Sequence, residues 1–213
     1  MMDYIQLTCG NASASVQLRG AQLASWQTGD GRERIWQADP AIWAQHTPVL
    51  FPVCGSVKDG EIRIAGQAYP MAKHGFTRNP VFRVAKQGAD FAELVLTPTE
   101  ESRPQYPFEF AFHVTYTLTE KGYTSLFTVE NHSAAPMPFC VGGHPGFACP
   151  MAAGERFEDY QLVFPEAEDG WNALAPGGGC IDGGETLSCL RDEGVIPLTH
   201  DWFDARDALI LTH

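Results

Sequence analysis

Residues 110–118 read Phe-Ala-Phe-His-Val-Thr-Tyr-Thr-Leu, which alternates with a period of two. Successive side chains of a β-strand point to opposite faces, so this stretch predicts a half-buried strand. Its inner face would carry Phe110, Phe112, Val114, Tyr116 and Leu118. The alternation resumes at residues 123–129, after Glu120-Lys121-Gly122. We therefore expect an antiparallel hairpin with glycine at the turn.

Shorter stretches of the same kind extend in both directions from this hairpin. They cover residues 14–18, 61–64, 81–84, 91–97, 159–164 and 208–212. Apolar residues nowhere recur at helical spacing over a long stretch, so the sequence predicts a mostly β fold of two packed antiparallel sheets. Asp39 could cap one helical turn over residues 39–43. No repeat or linker marks a boundary, so residues 1–213 are expected to form a single domain.

The charge balance excludes several classes of partner. The 213 residues include 14 Lys+Arg and 26 Asp+Glu, and the formal net charge is −12. Nucleic acids and anionic membranes are bound through a basic face, which this composition does not supply. The sequence also has no apolar run long enough to span a bilayer and no secretory signal. With six widely spaced cysteines and no CxxC pair, we expect a cytoplasmic protein with reduced thiols.

Two histidines stand out by their setting. His74 lies in Lys73-His74-Gly75-Phe76-Thr77-Arg78-Asn79, and His144 lies in Gly142-Gly143-His144-Pro145-Gly146-Phe147. A histidine flanked by glycines has an unobstructed ring on a constrained backbone, which suits acid–base chemistry near neutral pH. Either histidine could instead fill a turn. Asp207 precedes the apolar run 208–211, where it would face a polar ligand or sit in a solvated turn.

The sequence gives little support for a metal site, a serine nucleophile or a phosphate loop. The spacing Cys140-x3-His144-x4-Cys149 matches no usual zinc pattern, and the sequence has no HExxH. Cys54-Gly55-Ser56 is not a nucleophile elbow. The glycine-rich stretch 174–185 lacks the GK[ST] of a phosphate loop. We therefore predict no metal site, no serine nucleophile and no nucleotide cradle.

Four segments together resemble the aldose 1-epimerase (galactose mutarotase-like) superfamily, and within it the LacX-like branch close to the hexose-6-phosphate mutarotases. They are residues 47–53, 73–79, 138–147 and 207–210. The resemblance implies an antiparallel β-supersandwich. It also implies interconversion of the α and β anomers of an aldohexose or its 6-phosphate, without a cofactor or a metal. The expected partner is then a small sugar or sugar phosphate.

The same resemblance assigns roles to residues. It implies that His144 is the general acid that protonates the ring oxygen, and that His74, Arg78 and Asp207 contact the sugar. In the family mechanism a carboxylate removes the proton of the C1 hydroxyl, the ring opens, the C1–C2 bond rotates, and the ring closes on the other face.

The sequence departs from the family pattern in two places. The family carries its general-base glutamate in a segment after the aspartate, whereas no Glu follows Glu193 here. Either the chain lacks the family's last segment, which we favour, or it is a sugar binder without turnover, or another carboxylate substitutes. Loss of the last strands would expose sheet edges, so the chain would be poorly stable alone or would cover the exposed edge by self-association. The second departure is Gly55-Ser56, where close relatives often have a basic residue after the glycine.

Overall fold

The computed structural model describes residues 4–165, 171–174, 186–187, 194–202 and 209–212. These ranges form short strands and three single turns of 3-10 helix, at Lys58–Gly60, Phe157–Asp159 and His200–Trp202. The strands are β1 Tyr4–Cys9, β2 Ala12–Gln17, β3 Gln22–Gln27, β4 Val49–Leu50, β5 Glu61–Ile64, β6 Gln67–Pro70, β7 Arg83–Gln87, β8 Phe91–Leu96, β9 Phe110–Leu118, β10 Tyr123–Asn131, β11 Gly142–Gly143, β12 Gln161–Val163, β13 Trp171–Leu174, β14 Thr186–Leu187, β15 Val195–Pro197 and β16 Leu209–Thr212. The mostly β prediction is therefore confirmed.

The strands pair into several antiparallel sheets. A three-stranded sheet has the order β1-β2-β3, and a four-stranded sheet has the order β10-β9-β8-β7. Two-stranded ladders join β11 to β4, β5 to β6, and β12 to β15, while β14-β13-β16 form a further sheet. The chain divides into two compact units, residues 1–54 with 59–148 and residues 55–58 with 149–213.

The predicted antiparallel hairpin is present. Tyr123 pairs with Leu118 at the turn, and Asn131 pairs with Phe110 at the far end. All five residues assigned to the inner face of β9 are buried. Ala111, which points to the opposite face, is buried as well, so the start of β9 is covered on both faces. β10 extends two residues beyond the predicted 123–129.

The segment 81–84 was expected to be one strand, but β7 begins only at Arg83. Val81 instead forms an isolated antiparallel bridge with Arg19. The Phe82 amide donates to the Leu18 carbonyl at 2.9 Å. Val81 and Phe82 thus pair with the residues that follow β2 of the three-stranded sheet, before the chain enters β7 of the four-stranded sheet.

Aromatic side chains fill the core of the first unit around Phe51. The ring of Phe51 stacks on Phe112 of β9 with centroids 4.8 Å apart, and lies 5.3 Å from Phe110. The Tyr116 hydroxyl donates to the carbonyl of Ala21, just before β3, at 2.8 Å. The four-stranded and three-stranded sheets therefore share this core.

Asp39 starts one turn, as predicted. Its Oδ1 accepts the Ala41 amide at 2.9 Å, and its carbonyl accepts the Trp43 amide at 2.8 Å. The turn does not continue into a helix. Within the described ranges, no helix has the length and apolarity needed to cross a bilayer.

The second unit contains the ladder of β12 with β15. Leu162 pairs with Ile196, which is fully buried, while all three residues of β12 are exposed. The segment predicted at 159–164 corresponds to β12, which is shortened at both ends, and the segment predicted at 208–212 corresponds to β16.

Candidate functional site

A narrow ribbon of two short strands forms the base of the candidate site. Gly142 pairs with Leu50 and Gly143 with Val49. Backbone hydrogen bonds continue the same register on both sides. The His144 amide donates to the Pro48 carbonyl at 3.0 Å, and the Cys140 amide donates to the Pro52 carbonyl at 2.8 Å. The ribbon therefore places His144 beside the start of β4.

The segment that carries His74 joins the other side of β4. Gly75 forms a parallel bridge with Phe51, and the Phe76 amide donates to the Phe51 carbonyl at 3.2 Å. Gly75 has φ +75°, and a Cβ there would overlap the Phe51 carbonyl. Only glycine fits so close to a neighbouring backbone in this left-handed conformation.

The two histidines meet over β4. Their ring centroids lie 5.6 Å apart, with the ring planes at 70°. The ring of Trp43 lies 5.2 Å from the ring of His144. His144 is exposed and His74 is half-buried. The structure thus brings together two residues that the sequence singled out separately, and adds Trp43, which the sequence marked only as part of a turn.

The surroundings of His74 keep its ring neutral. Burial, followed by the positive charges of Arg78, His144 and Lys73, lowers the pKa of His74 to about 4. At neutral pH its imidazole therefore has one nitrogen that donates and one that accepts. Its backbone has φ +69°, which is uncommon for a residue with a side chain.

Arg78 closes the loop that begins at Lys73. Its Nη2 donates to the Lys73 carbonyl at 2.9 Å. On the other side, Gly20 lies against the Arg78 backbone, and a Cβ on Gly20 would come within 2.6 Å of the Arg78 carbonyl oxygen. The backbone on which Arg78 and His74 sit is therefore held at several points. Positive charge is concentrated here, in a chain whose net charge is −12.

Two cavities adjoin these segments. The smaller, of about 180 Å³, is lined by His144 together with Tyr123, Ser125 and Phe127 of β10. The alternation over residues 123–129 places these β10 residues on one face, but nothing in the sequence marks them as part of a site. The larger cavity, of about 410 Å³, has Phe76 in its lining.

Asp207 lies outside the described residues, so its proposed sugar contact stays a prediction. His132 is exposed and bonds Glu130 at 2.9 Å. Phe76 packs edge-on against Phe51 with centroids 6.1 Å apart. In the described part of the chain, no three His, Cys, Asp or Glu side chains are gathered in a way that could hold a metal ion.

Comparisons with known proteins show similarity over most of the chain. The sequence model of the family described as aldose 1-epimerase matches residues 3–181. Protein LacX of Lactococcus lactis subsp. lactis, in its plasmid form, is 32% identical over 210 residues, which are 94% of this chain and 70% of that protein.

Two solved structures are similar throughout. A galactose mutarotase related enzyme from Lactobacillus acidophilus is 33% identical with a TM-score of 0.90, and the match covers 99% of this chain and 70% of that one. A galactose mutarotase-like protein from Lactobacillus casei is 30% identical with a TM-score of 0.86, over 96% of this chain and 70% of that one.

Proposed function

The chain belongs to the aldose 1-epimerase family, and from this premise we propose that it interconverts the α and β anomers of an aldohexose or hexose 6-phosphate. Family membership supports the general assignment as a carbohydrate epimerase or mutarotase. The observation that carries the finer proposal is the pair of rings, His74 and His144, 5.6 Å apart over β4.

The proposed chemistry uses the two histidines differently. Anomer exchange requires a proton delivered to the ring oxygen while another leaves the C1 hydroxyl. His144 is exposed, and histidine is the residue type that transfers protons near neutral pH. We assign it the role of general acid. His74, whose lowered pKa keeps it neutral, holds a sugar hydroxyl by hydrogen bonds.

The positive charge around His74 supports a phosphorylated substrate. A guanidinium offers five N–H donors and suits phosphate oxygens, and the bond to Lys73 uses only one of those of Arg78. Lys73, which is exposed in the same loop, adds a second cation. We therefore propose that Arg78 contacts the sugar or its 6-phosphate, and Asp207 is proposed as a further sugar contact.

Exchange NMR tests the proposal directly. The rate of α-to-β exchange is measured for glucose, galactose and glucose 6-phosphate, with and without the protein. We expect acceleration that is lost in His144→Ala and kept in His132→Ala, which removes an exposed histidine away from the pair.

An alternative is a carbohydrate-binding β-sandwich that holds the sugar without turnover. Saturable shifts of the His74 and His144 ring resonances with sugar, without acceleration, would favour this alternative and overturn the proposed activity. A loss of acceleration in His132→Ala equal to that in His144→Ala would remove His144 from its assigned role.

A further inference from the structure

The β4–β11 ribbon carries a second pair of reactive side chains. We propose that Cys54 and Cys140 are an oxidative modification site, a dithiol that closes into an intramolecular disulfide when a low-molecular-weight disulfide such as oxidised glutathione is present. This proposal rests on the ribbon and does not require the proposed epimerase activity.

The backbone register brings the two cysteines to the same end of the ribbon. Cys140 stands opposite Pro52, to whose carbonyl its amide donates at 2.8 Å. Cys54 follows Pro52 by two residues. Its Sγ lies 3.1 Å from the position that a Cβ on Gly142 would occupy. The Cys54 side chain is therefore folded back over β11 and occupies the space that Gly142 leaves open.

Alternation along the strand puts both sulfurs on one face. Residues 140, 142 and 144 are each two apart and are held in a single register against residues 52, 50 and 48. Alternate residues of a strand point to the same face. The face that carries the His144 ring thus also carries Cys140, and the Cys54 sulfur covers the position between them.

The two thiols are accessible and influence each other. Both cysteines are exposed. Partial burial raises the pKa of Cys54, and the charge of a Cys140 thiolate raises it further. Among the described residues no third ligand joins them to form a metal site. A nearby pair of accessible thiols without a metal is chemically suited to disulfide exchange.

The exchange is balanced in two steps. One cysteine thiolate attacks a sulfur of oxidised glutathione, forming a mixed disulfide and expelling one glutathione thiolate. The other cysteine thiolate then attacks the protein sulfur of the mixed disulfide and expels the second glutathione. The protein loses two protons and two electrons, and one oxidised glutathione becomes two reduced molecules. Because the attacking species is the thiolate, we expect the reaction to speed up as the pH rises.

Mass spectrometry of the full chain tests this modification. The reduced protein is incubated with oxidised glutathione, and we expect a product about 2 Da lighter than the reduced chain, as formation of one disulfide requires. Chymotryptic cleavage after Phe139 and Phe147 separates Cys140 from Cys149. The linked peptides should contain Cys54 and Cys140.

Matched variants make the assignment specific. Cys54→Ser and Cys140→Ser should each abolish the linked peptide, whereas Cys9→Ser and Cys149→Ser should keep it. A link to any other cysteine, or glutathione remaining on Cys54 or Cys140 as the end product, would overturn the proposal.

A second readout tests the shared face. Oxidation should shift the ring resonances of His144 in the native sequence and leave them unchanged in Cys140→Ser. Formation of the Cys54–Cys140 disulfide without any change at His144 would contradict the placement of the sulfurs on the histidine face. Both measurements are independent of sugar turnover, so failure of the epimerase proposal would not decide them.

Discussion

His74 is held in an uncommon backbone conformation, and its ring stays neutral to a lower pH than the ring of an ordinary histidine. Its φ of +69° lies in the left-handed region, and its pKa is lowered to about 4. Strain of this kind persists only when the surrounding structure fixes the residue. Here the bridge between Gly75 and Phe51 and the bond from Arg78 to Lys73 enclose it on both sides.

The charge state of His74 is testable by NMR titration. We expect its ring to remain neutral at pH 7 and to take up a proton near pH 4. Arg78→Gln should raise the pKa of His74, because the positive charge of Arg78 is the largest cause of the lowered pKa after burial. Arg63→Gln, on the exposed β5–β6 hairpin, is the control. An unchanged pKa in Arg78→Gln would contradict the electrostatic explanation.

The same shift predicts how stability depends on pH. Above the ordinary pKa of 6.5, His74 is neutral in both the folded and the unfolded chain. As the pH falls from 6.5 toward 4, His74 becomes protonated in the unfolded chain but stays neutral in the folded chain. The free energy of unfolding therefore decreases.

Because water reaches part of the ring, we expect this loss to be about 1 kcal/mol rather than the full value of the shift. Urea unfolding at several pH values, compared between the native sequence and His74→Asn, isolates the contribution. If the free energy of unfolding depended on pH in the same way in both proteins, the loss of stability at low pH would not come from His74.

Gly75 offers a second test at the level of a single residue. Gly75→Ala should destabilise the protein by about 3 kcal/mol or more, because the new Cβ overlaps the Phe51 carbonyl and the left-handed backbone is strained. Gly66→Ala is the matched control, since Gly66 has φ +86° with open space around it. It should cost only about 1 kcal/mol. Equal losses for the two variants, measured by urea unfolding, would mean that the close approach to Phe51 is unimportant.

Among the elements, β9 contributes three buried aromatic side chains, Phe110, Phe112 and Tyr116, to the core of the first unit. Phe112 is fully buried and stacks on Phe51, which in turn positions Gly75 and Phe76. Phe112→Ala should therefore cost about 3–5 kcal/mol. Leu126→Ala on the paired strand β10 should cost less than about 0.5 kcal/mol, because Leu126 is 58% exposed. If urea unfolding showed comparable losses of stability for the two variants, the hairpin would not be packed mainly through the side chains of β9.

The sequence predicts β9 and the four-residue strand β5 with their observed bounds, but it does not predict the two-residue strands β4 and β11. β9 was predicted with its observed bounds because nine alternating residues give a clear period. β4 and β11 have two residues each, which is too short for any period, and Gly142 and Gly143 contribute no side-chain pattern. Their pairing depends on contacts between distant parts of the chain.

The candidate site was predictable to a similar degree. Glycine neighbours and the family resemblance pointed to His74 and His144, but the meeting of their rings depends on the ribbon and on the Gly75–Phe51 bridge. Trp43 lies beside His144 for the same reason, and no local pattern indicates this contact. The lowered pKa of His74 likewise arises from burial and from charges that the fold brings near.

At the scale of the molecule, the galactose mutarotase-like fold predicted from the sequence is confirmed by two solved structures with TM-scores of 0.90 and 0.86. The contacts nevertheless divide the chain into two compact units. The first contains a four-stranded sheet with β9 in its interior, whereas β12 in the second is exposed along its length. Stability is therefore expected to differ between the two.

Native-state hydrogen exchange measures this difference. Amides of β9 should exchange most slowly, because they are paired on both sides and lie over the aromatic core. Amides of residues 161–163 should exchange much faster, through local opening. Equal protection of both segments would instead support the single cooperative domain that the sequence analysis predicted.

The contact of Trp43 with His144 gives the protein an optical reporter of its own. Indole fluorescence is sensitive to a neighbouring imidazole and to the exclusion of water from the ring, and Trp43 lies 5.2 Å from His144. A sugar that settles against His144 should therefore change the emission of this one indole among the five in the chain. The difference between the native sequence and Trp43→Phe would then report occupancy of the site in real time, whether or not the bound molecule reacts.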